Sequence, residues 1–595
     1  MAERPVRIGC ASAFWGDSLD GARQLVERGD IDYLVFDYLA EVTMSLLARL
    51  RARKPELGYV PDFIEGVAPL LPEIRRRGIR VVSNGGGVNP HAAAAALAAR
   101  AEALGVTLKI AVVIGDDLTD RVDALHARGV AEMFTGAPLP EKIMSANAYL
   151  GAQPIAAALE RGADVVITGR CVDSAVTLGA LVHAFGWSWN DHDRLAQGSL
   201  AGHLLECAAQ VTGGLFTDWR EVPGWDDMGM PIAECARDGS FVVTKPEGTG
   251  GLVTPLSVGE QLLYEIGDPA AYILPDVTCD FRAVTLEQAG LDRVRVAGAR
   301  GRPPTDTVKV SATWHDGYRM IGTVTLGGRD AAAKAQRAGE AILARARRLL
   351  KGRNLADFTE TSLEVLGTEA TYGANARPEL AAAREVVLKI GARHTDEKAL
   401  GILAREIAPA ASSMAQGLTG FFAGRPGVQP VFRLFSFLWP KSELLPLVVV
   451  DDEVLPLPFA PGAPLAPAAA AAPPPAPAVT PDAEVPLIAL AVGRSGDKGN
   501  AANIGIIARR PENLPWLRQS LTPEAVHAFF AHTGVTRVDR YELPGIHALN
   551  FVLHDALGGG GVASLRIDPQ GKAFAQMLMD HPIAVPRALA GNAPR

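Results

Sequence analysis

The fold class is decided by a short stretch at residues 80–90, which reads RVVSNGGGVNP. Its first four residues are typical of a buried β-strand, and three glycines with two asparagines then lead into Pro90. Proline has a fixed φ and no N–H, so it is favoured in the first turn of a helix. Residues 90–104 accordingly predict an amphipathic helix. A buried strand followed by a glycine-rich turn and a helix indicates an α/β protein.

The same succession recurs on both sides of this stretch. Helix-length segments such as residues 19–28 separate further apolar runs, which predict strands at residues 6–10, 33–36, 108–114 and 164–167. Strands that are apolar throughout need cover on both faces, and parallel sheets receive it from their crossover helices. We therefore predict an α/β body built on a doubly wound, mainly parallel sheet.

Beyond residue 250 the pattern becomes mixed. A helix is predicted at residues 330–350, and antiparallel strands are predicted at residues 307–325. A division of the body near residue 250 therefore stays open.

A proline- and alanine-rich stretch at residues 456–484 divides the 595-residue chain. Such a segment offers little to a core and behaves as an extended, semi-rigid spacer. It separates a body over residues 1–455 from a module over residues 485–595, which is long enough for a small domain. The module predicts an α+β, ferredoxin-like fold with strands at 486–492, 504–508, 537–543, 549–553 and 563–567, and helices at 524–532 and 571–579.

Charge and composition limit the partners. A formal net charge of -8 leaves no excess of Lys and Arg for a phosphate backbone. No apolar run approaches the roughly 18 residues of a membrane span, and the N-terminus lacks the pattern of a signal peptide. Five scattered cysteines show neither a CxxC pair nor zinc-ligand spacing. We expect a cytoplasmic homo-oligomer with a small-molecule substrate and with neither nucleic acid nor a membrane as partner.

Polar residues that follow strands are the first candidates for a site, because ligands of open parallel sheets bind beyond the carboxyl ends of the strands. The turn at residues 83–90 allows close approach of the backbone to a ligand. Its candidate substrate-binding residues are Asn84, Gly85, Gly86 and Asn89. The alternative is a tight turn without a ligand.

A second candidate segment, TGRCVDSA at residues 168–175, follows the strand predicted at 164–167. Arg170 could hold a carboxylate or a phosphate through two hydrogen bonds. Asp173 is a candidate acid or base and Ser174 a candidate substrate contact, although helix capping alone would explain both. Cys171 has no His nearby in the sequence and is expected to be a buried thiol.

A third segment, TKPEGTGG at residues 244–251, combines a lysine with a glycine-rich turn before a helix predicted at 258–266. Backbone N–H groups and an ammonium group can together hold an anion. The candidate substrate-binding residues here are Lys245, Gly248, Thr249, Gly250 and Gly251. Glu206, inside a helix predicted at 200–211, either belongs to the same cleft as a catalytic carboxylate or is a solvated helix position.

A fourth segment, GRSGDKGN at residues 493–500, lies in the C-terminal module between two predicted strands. Its polar density exceeds the needs of a hairpin turn, so it either contacts a ligand or docks the module on the body. Asp497 is its candidate acid or base, and Ser495, Lys498 and Asn500 are candidate substrate contacts.

The second, third and fourth segments, in this order, resemble those of the AtuA family of acyclic terpene utilisation proteins. The resemblance covers nearly the whole chain outside the spacer. It implies a large N-terminal domain followed by a ferredoxin-fold domain. It also implies a place in the catabolism of acyclic terpenes such as citronellol and geraniol, or of related branched acids, whose intermediates are thioesters of coenzyme A.

Two functions are compatible with these residues. The first is an enzyme that hydrates, hydrolyses or cleaves an acyl-CoA or related carboxylic intermediate, with Arg170 and Lys245 on its anionic part and Asp173, Glu206 or Asp497 as acid or base. The second is an accessory protein that binds the intermediate or a carboxylase partner without turnover. The sequence shows no dinucleotide, haem or iron–sulfur motif, and the cofactor stays unknown, with coenzyme A open as part of the substrate. It also shows no sequence-local metal site, and a divalent cation held by distant carboxylates stays open.

Overall fold

The computed structural model describes residues 4–420, 424–465 and 479–590, apart from the side chains of residues 41, 42 and 562. The elements up to residue 297 are β1 (Val6–Cys10), α1 (Asp20–Arg28), β2 (Tyr33–Phe36), α2 (Glu41–Arg53), α3 (Pro61–Val67), α4 (Leu71–Arg77), β3 (Arg80–Ser83), α5 (Pro90–Ala103), β4 (Ile110–Ile114), α6 (Val122–Ala127), β5 (Ser145–Ala148), α7 (Gln153–Glu160), β6 (Val165–Thr168), α8 (Ala175–Phe185), α9 (His192–Leu205), β7 (Ile232–Cys235), β8 (Phe241–Thr244), α10 (Pro255–Leu263), β9 (Tyr272–Ile273), β10 (Thr278–Asp280), β11 (Thr285–Gly290) and β12 (Arg293–Ala297). The body continues with β13 (Arg300–Arg302), β14 (Thr307–Gly327), α11 (Ala331–Lys351), β15 (Glu360–Leu366), β16 (Glu385–His394), α12 (Glu397–Ile407), α13 (Ala410–Ser413), β17 (Leu418–Thr419), β18 (Val428–Pro440), β19 (Leu447–Val450) and β20 (Glu453–Pro456).

The first sheet of the body has eleven strands in the order β11-β12-β8-β7-β1-β2-β3-β6-β4-β19-β20. Its central strands β1, β2, β3, β6 and β4 pair in parallel, and every pairing outside them is antiparallel. The predicted α/β class and the central strands are confirmed, but the sheet is mixed rather than mainly parallel. In a doubly wound sheet the strand order reverses at a central point. Here β2 and β3 follow β1 on one side, and β4 continues on that same side with β6 between it and β3, so the doubly wound order is not confirmed.

Helices cover both faces of the central strands. In β2, Tyr33 and Val35 belong to a core that contains apolar residues of α8 and α9. The alternate residues Leu34 and Phe36 belong to a second core with apolar residues of α1, α3 and α5. Successive side chains of a strand point to opposite faces, so a strand between two cores is apolar throughout.

A second, smaller sheet follows in the chain. It contains β15, β16, β14 and β17, with β18 and β5 also paired to β14. The strands predicted at 307–325 are in fact a single 21-residue strand, β14, whose partners come from elsewhere in the chain. The helix predicted at 330–350 is α11, which packs with α12 on this sheet.

The C-terminal module contains β21 (Ala483–Pro486), β22 (Ala491–Lys498), β23 (Ala501–Ala508), α14 (Leu514–Ser520), α15 (Pro523–Phe529), β24 (Arg537–Leu543), β25 (Ala548–His554), α16 (Phe574–Leu578), β26 (Pro582–Val585) and α17 (Arg587–Ala590). Its antiparallel sheet has the order β22-β23-β25-β24. One face packs on α14, α15 and α16, and α10 of the body contacts β22 and β23.

The secondary structure of the module corrects several expectations. The polar segment at 493–500 was expected to be a loop, but most of it belongs to β22. No strand forms at 563–567, whereas α14 and β26 form without having been predicted. Of the predicted spacer, residues 466–478 lie outside the described residues. Residues 457–465 run along the body, where the backbone N–H of Ala463 donates to Pro304 O at 2.8 Å.

Within the described residues, no helix combines the length and the apolar character that a membrane crossing requires.

Candidate functional site

Three carboxylates from separate parts of the body meet beyond the carboxyl ends of the central strands. Asp37 directly follows β2, Asp173 lies between β6 and α8, and Glu206 is the residue after α9. One oxygen of each residue lies within 4.8 Å of an oxygen of the other two. We call these three residues the carboxylate cluster. Two full negative charges at that separation repel by about 3 kcal/mol at an effective dielectric constant of about 20, so the cluster needs protons or positive charge.

Asn84 orients the most enclosed member of the cluster. Its Nδ2 donates a hydrogen bond to Oδ1 of Asp37, and its Oδ1 accepts one from the backbone N–H of Tyr38 at 2.9 Å. Burial raises the pKa of Asp37 well above its ordinary value, and the charges of Asp173 and Glu206 raise it further. The positive charge of Arg170 opposes that shift. Asp37 therefore takes up a proton more readily than an ordinary aspartate.

Arg170 is 3% exposed and is held on several sides. Its Nη1 donates to Leu39 O and to Oδ1 of Asp173, the latter at 3.2 Å, and the guanidinium lies 4.2 Å from the centre of the Tyr149 ring. Its backbone N–H donates to Oδ2 of Asp116 at 2.9 Å. Burial raises the pKa of Asp116 to about 7. The position of Arg170 favours orienting Asp173 over binding an anion in solvent.

Glu206 is paired with a buried histidine. Helix α9 ends at Leu205 rather than continuing to residue 211 as predicted, and Glu206 is the first residue beyond it. Nε2 of His203 lies 3.2 Å from Leu262 O, so this nitrogen carries the proton that the carbonyl accepts. Nδ1 then faces Oε1 of Glu206 at 3.2 Å. Burial raises the pKa of Glu206 to about 6, and His203 opposes that shift.

A small hollow adjoins Arg170. Asn147, Tyr149, Ser311 and Thr313 line it from β5, β14 and the residues beside them, together with Met44 and Arg170. Nδ2 of Asn147 donates to Oδ2 of Asp116 at 2.8 Å, while its buried Oδ1 has no hydrogen-bond partner in the described parts of the chain. The second sheet thus forms one wall of the hollow beside Arg170.

The C-terminal module reaches the same region through the end of β22. Lys498, 53% exposed, lies 3.7 Å from a carboxylate oxygen of Glu265, and its positive charge lowers the pKa of Glu206. Asp497 is turned elsewhere, because its Oδ1 lies 3.8 Å from Nζ of Lys572 and accepts from Gln570 at 3.3 Å. Lys498 therefore acts electrostatically on the carboxylate cluster, whereas Asp497 contacts Lys572 and Gln570.

The predicted Lys245 segment lies apart from the cluster. It follows β8, and two strands separate β8 from β2, which carries Asp37 at its end, so the segment lies roughly three strand spacings of about 4.8 Å from the nearest strand of the cluster. Nζ of Lys245 lies 3.0 Å from Oδ2 of Asp292 and donates to Thr249 O at 2.9 Å. Gly251 adopts a φ of +92°, and a Cβ on Gly250 would lie 1.9 Å from Gly224 O. The glycines here, with Gly248 at a φ of +72°, serve the fold of the loop.

Several other predicted residues of the body have structural contacts. Nδ2 of Asn89 donates to Pro55 O and Leu57 O, which fixes the turn before α5. A Cβ on Gly86 would lie 2.5 Å from Thr168 O, and the backbone N–H of Gly85 donates to Ser83 Oγ. Ser174 is the N-cap residue of α8 and packs against Gly202 of α9.

The predicted substrate contacts of the module are also used internally. Ser495 Oγ accepts a hydrogen bond from the backbone N–H of Ala575 at 2.8 Å. Asn500 donates to Oδ1 of Asp555 and accepts from the backbone N–H of Gly559. Both residues fix the β22–β23 hairpin and the segments that follow it.

Sequence reasoning missed Asp37, Asp116, Asn147, Tyr149 and His203. A signal existed for the first two, because Asp37 directly follows the apolar run at 33–36 and Asp116 closely follows the run at 108–114. The rule that selected Asn84 and Arg170 selects these aspartates as well when it is applied to every parallel strand. Burial raises the pKa of the Cys171 thiol to about 12, which fits the expected inert thiol.

Comparison with known proteins places the chain in a family. No curated protein and no solved structure matches it. The sequence model described as "AtuA ferredoxin-like domain" matches residues 485–584, and the model described as "Acyclic terpene utilisation family protein AtuA" matches residues 6–450. The two matches confirm the resemblance carried by the sequence segments and the ferredoxin-like class of the module. The chain belongs to the acyclic terpene utilisation family AtuA.

Proposed function

We propose that this chain is an enzyme of acyclic terpene or branched-acid catabolism that acts on an acyl thioester of coenzyme A or a related carboxylic intermediate. Membership of the AtuA family supports the terpene context. The observation that carries an enzymatic role is the carboxylate cluster, in which two buried carboxyl groups with raised pKa face a third that is 31% exposed. Carboxyl groups with perturbed pKa values concentrate at catalytic sites.

The cluster suits a reaction that takes a proton from one atom and returns it to another. A carboxyl group whose pKa lies near neutral pH can act as an acid, and a neighbouring ionised carboxylate can act as a base. Hydration of a double bond, hydrolysis by an activated water and cleavage of a carbon–carbon bond all need such a pair. We assign Asp173, the most exposed member, to the substrate side and Glu206 to proton exchange.

The surroundings of the cluster match this assignment. Arg170 holds Asp173 at 3.2 Å and orients its carboxylate, and we propose Asp173 as the base. His203 faces Glu206 from the other side at 3.2 Å and can take or return its proton. Lys498 brings positive charge from the C-terminal module, and we propose that it contacts the anionic part of the substrate.

The test is to incubate the purified full chain with geranyl-CoA, citronellyl-CoA and short branched thioesters and to follow their masses. We expect one of them to gain water, to release coenzyme A or to lose part of its acyl chain. Glu206→Gln and Asp173→Asn should each slow the conversion by about 100- to 10,000-fold, the usual contribution of an acid or base. These changes remove the proton-exchanging group with little change of shape.

Asp191→Asn is the matched control. Asp191 also pairs with an arginine three residues away at 2.9 Å, but it caps the opposite end of α9 from Glu206. The Asp191→Asn variant should convert the thioester at the same rate as the wild-type protein. Retention of a thioester on the protein with no change of mass would overturn the enzymatic proposal and favour a binding protein.

A further inference from the structure

We propose that the carboxylates of Asp37, Asp173 and Glu206 bind one divalent cation that prefers oxygen ligands, such as Mg²⁺ or Mn²⁺. The three residues are far apart in the sequence and are brought together only by the fold.

The donor set and its spacing fit such a cation. Carboxylate oxygens are the ligands that Mg²⁺, Mn²⁺ and Ca²⁺ prefer. Bonds of about 2.0–2.5 Å place two ligands of one ion no more than about 4–5 Å apart. The oxygens of the cluster lie within 4.8 Å of one another, so one ion can reach all three with small adjustments of the side chains.

A single buried oxygen of Glu206 is a separate indication that a cation binds at the cluster. Glu206 is 7% exposed, and its Oε1 faces Nδ1 of His203. Its Oε2 is buried and has no hydrogen-bond partner within residues 4–420, 424–465 and 479–590. A buried polar atom without a partner costs about 1–3 kcal/mol, and more when it is charged. A cation at the cluster would satisfy this oxygen.

Among the described residues, the positive charges paired with the cluster are fewer than its three carboxylates, so a cation can bind there without an excess of positive charge. In the described part of the chain, ion pairs to the three carboxylates come from Arg170 to Asp173 and from His203 to Glu206. The side chain of Asp37 accepts from the amide of Asn84 and the backbone N–H of Leu39, both of which are neutral. A divalent ion would bring positive charge to Asp37.

The neighbours of the ligands are arranged to orient them. Asn84 fixes one oxygen of Asp37, Arg170 fixes one oxygen of Asp173, and His203 faces one oxygen of Glu206. Each carboxylate therefore has one oxygen positioned by the protein, and Oε2 of Glu206 is left for an ion. Such outer contacts are a regular feature of metal sites.

The use of the cation in a reaction rests on the proposed function, whereas its binding does not. A divalent ion held by the three carboxylates would polarise a thioester carbonyl or a water molecule, which is the usual role of such ions in catalysis. With the ion bound, Glu206 would be an ionised ligand, and the proton exchange assigned to it would pass to the polarised water.

Titration of the full-length protein with Mn²⁺, after removal of metals with EDTA, tests the proposal. Free Mn²⁺ is read from its electron paramagnetic resonance signal, and Mg²⁺ and Ca²⁺ are then added as competitors. We expect one Mn²⁺ site per chain and a higher melting temperature when Mn²⁺ is bound. Asp173→Asn and Glu206→Gln should weaken the affinity by at least about tenfold, while Asp191→Asn should leave it unchanged.

Two results would overturn the cation site. One is a wild-type protein with no stoichiometric site for Mn²⁺, Mg²⁺ or Ca²⁺. The other is an Asp173→Asn variant that is folded by circular dichroism and binds Mn²⁺ as tightly as Asp191→Asn. Stoichiometric Mn²⁺ without conversion of any thioester would instead leave the cation site standing and overturn the proposed function.

Discussion

Asn84 shows how one neutral side chain can organise a charged cluster. Its amide contacts both Asp37 and the backbone of Tyr38, so it fixes the carboxyl group and the chain that carries it. The amide carries a donor and an acceptor on the same carbon, so one side chain makes both contacts. A glycine-rich turn brings Asn84 to the end of β3, beside Asp37 at the end of the neighbouring strand β2.

We predict that Asn84→Ala destabilises the protein by about 1–3 kcal/mol. The substitution leaves the buried backbone N–H of Tyr38 without its partner and removes one of the two hydrogen bonds to Oδ1 of Asp37, and the cost of these losses sets the size of the effect. Urea unfolding followed by circular dichroism measures the change. The exposed Asn190 is a suitable control, and Asn190→Ala should change the free energy of unfolding by no more than about 0.5 kcal/mol. Equal stability of the two variants would contradict the role given to Asn84.

The residues of the cluster were only partly accessible to sequence reasoning. Asn84, Arg170 and Asp173 follow apolar strands, and their side chains meet near Asp37. His203 and Glu206 carry no such signal, because they lie at the end of a helix whose direction toward the sheet is a tertiary feature. Lys245 satisfied the same rule as Arg170 but follows β8, and the sequence does not indicate which strands are neighbours.

At the scale of elements, β22 shows why a polar segment can be a strand. Successive residues of β22 have partners in different elements. The guanidinium of Arg494 lies 4.2 Å from the centre of the Tyr264 ring beside α10, and Ser495 contacts the backbone at α16. The polar side chains on both faces of such a strand have partners within the protein. The sequence of the strand therefore lacks the alternation of apolar and polar residues that identifies most strands. The sequence therefore favoured a loop at 493–500.

The close contact between β23 and α10 depends on a glycine. A Cβ on Gly505 would lie 2.4 Å from Cβ of Leu263, which is closer than atoms of folded proteins approach. We predict that Gly505→Ala destabilises the protein by about 1–3 kcal/mol, because the sheet of the module and α10 must move apart. Thermal unfolding measures the effect.

Gly401 is the matched control for this prediction. It lies inside α12, and nothing lies within 4 Å of a Cβ placed on it. Gly401→Ala should stabilise the protein by about 0.5–1 kcal/mol, because alanine has the higher helix propensity. Stabilisation by both substitutions would show that the module does not contact α10 as described.

At the scale of the whole molecule, the site depends on the order of the strands. β6 lies between β3 and β4, which brings residues after 168 beside residues after 83 and 114. Local sequence predicted most of the central strands because their apolar runs are continuous. It could not give their order, the antiparallel edges or the contact with the C-terminal module, since these depend on partners far apart in the chain.

The contact between body and module contains a buried carboxyl group. Thr217 Oγ1 donates to Oε1 of Glu260 at 2.5 Å and also accepts from the backbone N–H of Gly493 at 3.0 Å. Burial raises the pKa of Glu260 to about 8. The hydrogen bond from Thr217 and the charge of Arg494 oppose this shift, whereas the charge of Asp218 adds to it. Asp218 is itself paired with Arg509 of the module at 2.5 Å. Glu260 is therefore largely protonated at neutral pH in the folded protein.

This raised pKa predicts a loss of stability toward alkaline pH. The folded protein holds the proton of Glu260 up to about pH 8, whereas the unfolded chain releases it near 4.5, so the contribution is complete below pH 4.5 and falls as the pH rises to about 8. The slope for this one group approaches about 1.4 kcal/mol per pH unit. Glu260→Gln, which stays neutral and still accepts from Thr217, should gain stability relative to the wild type as the pH rises from 5 to about 8 in urea unfolding.

The exposed Glu340 on α11 provides the control. The free energy of unfolding of Glu340→Gln should change with pH in parallel with that of the wild type. A Glu260→Gln curve that also runs parallel to the wild type would mean that Glu260 is already ionised in the folded interface.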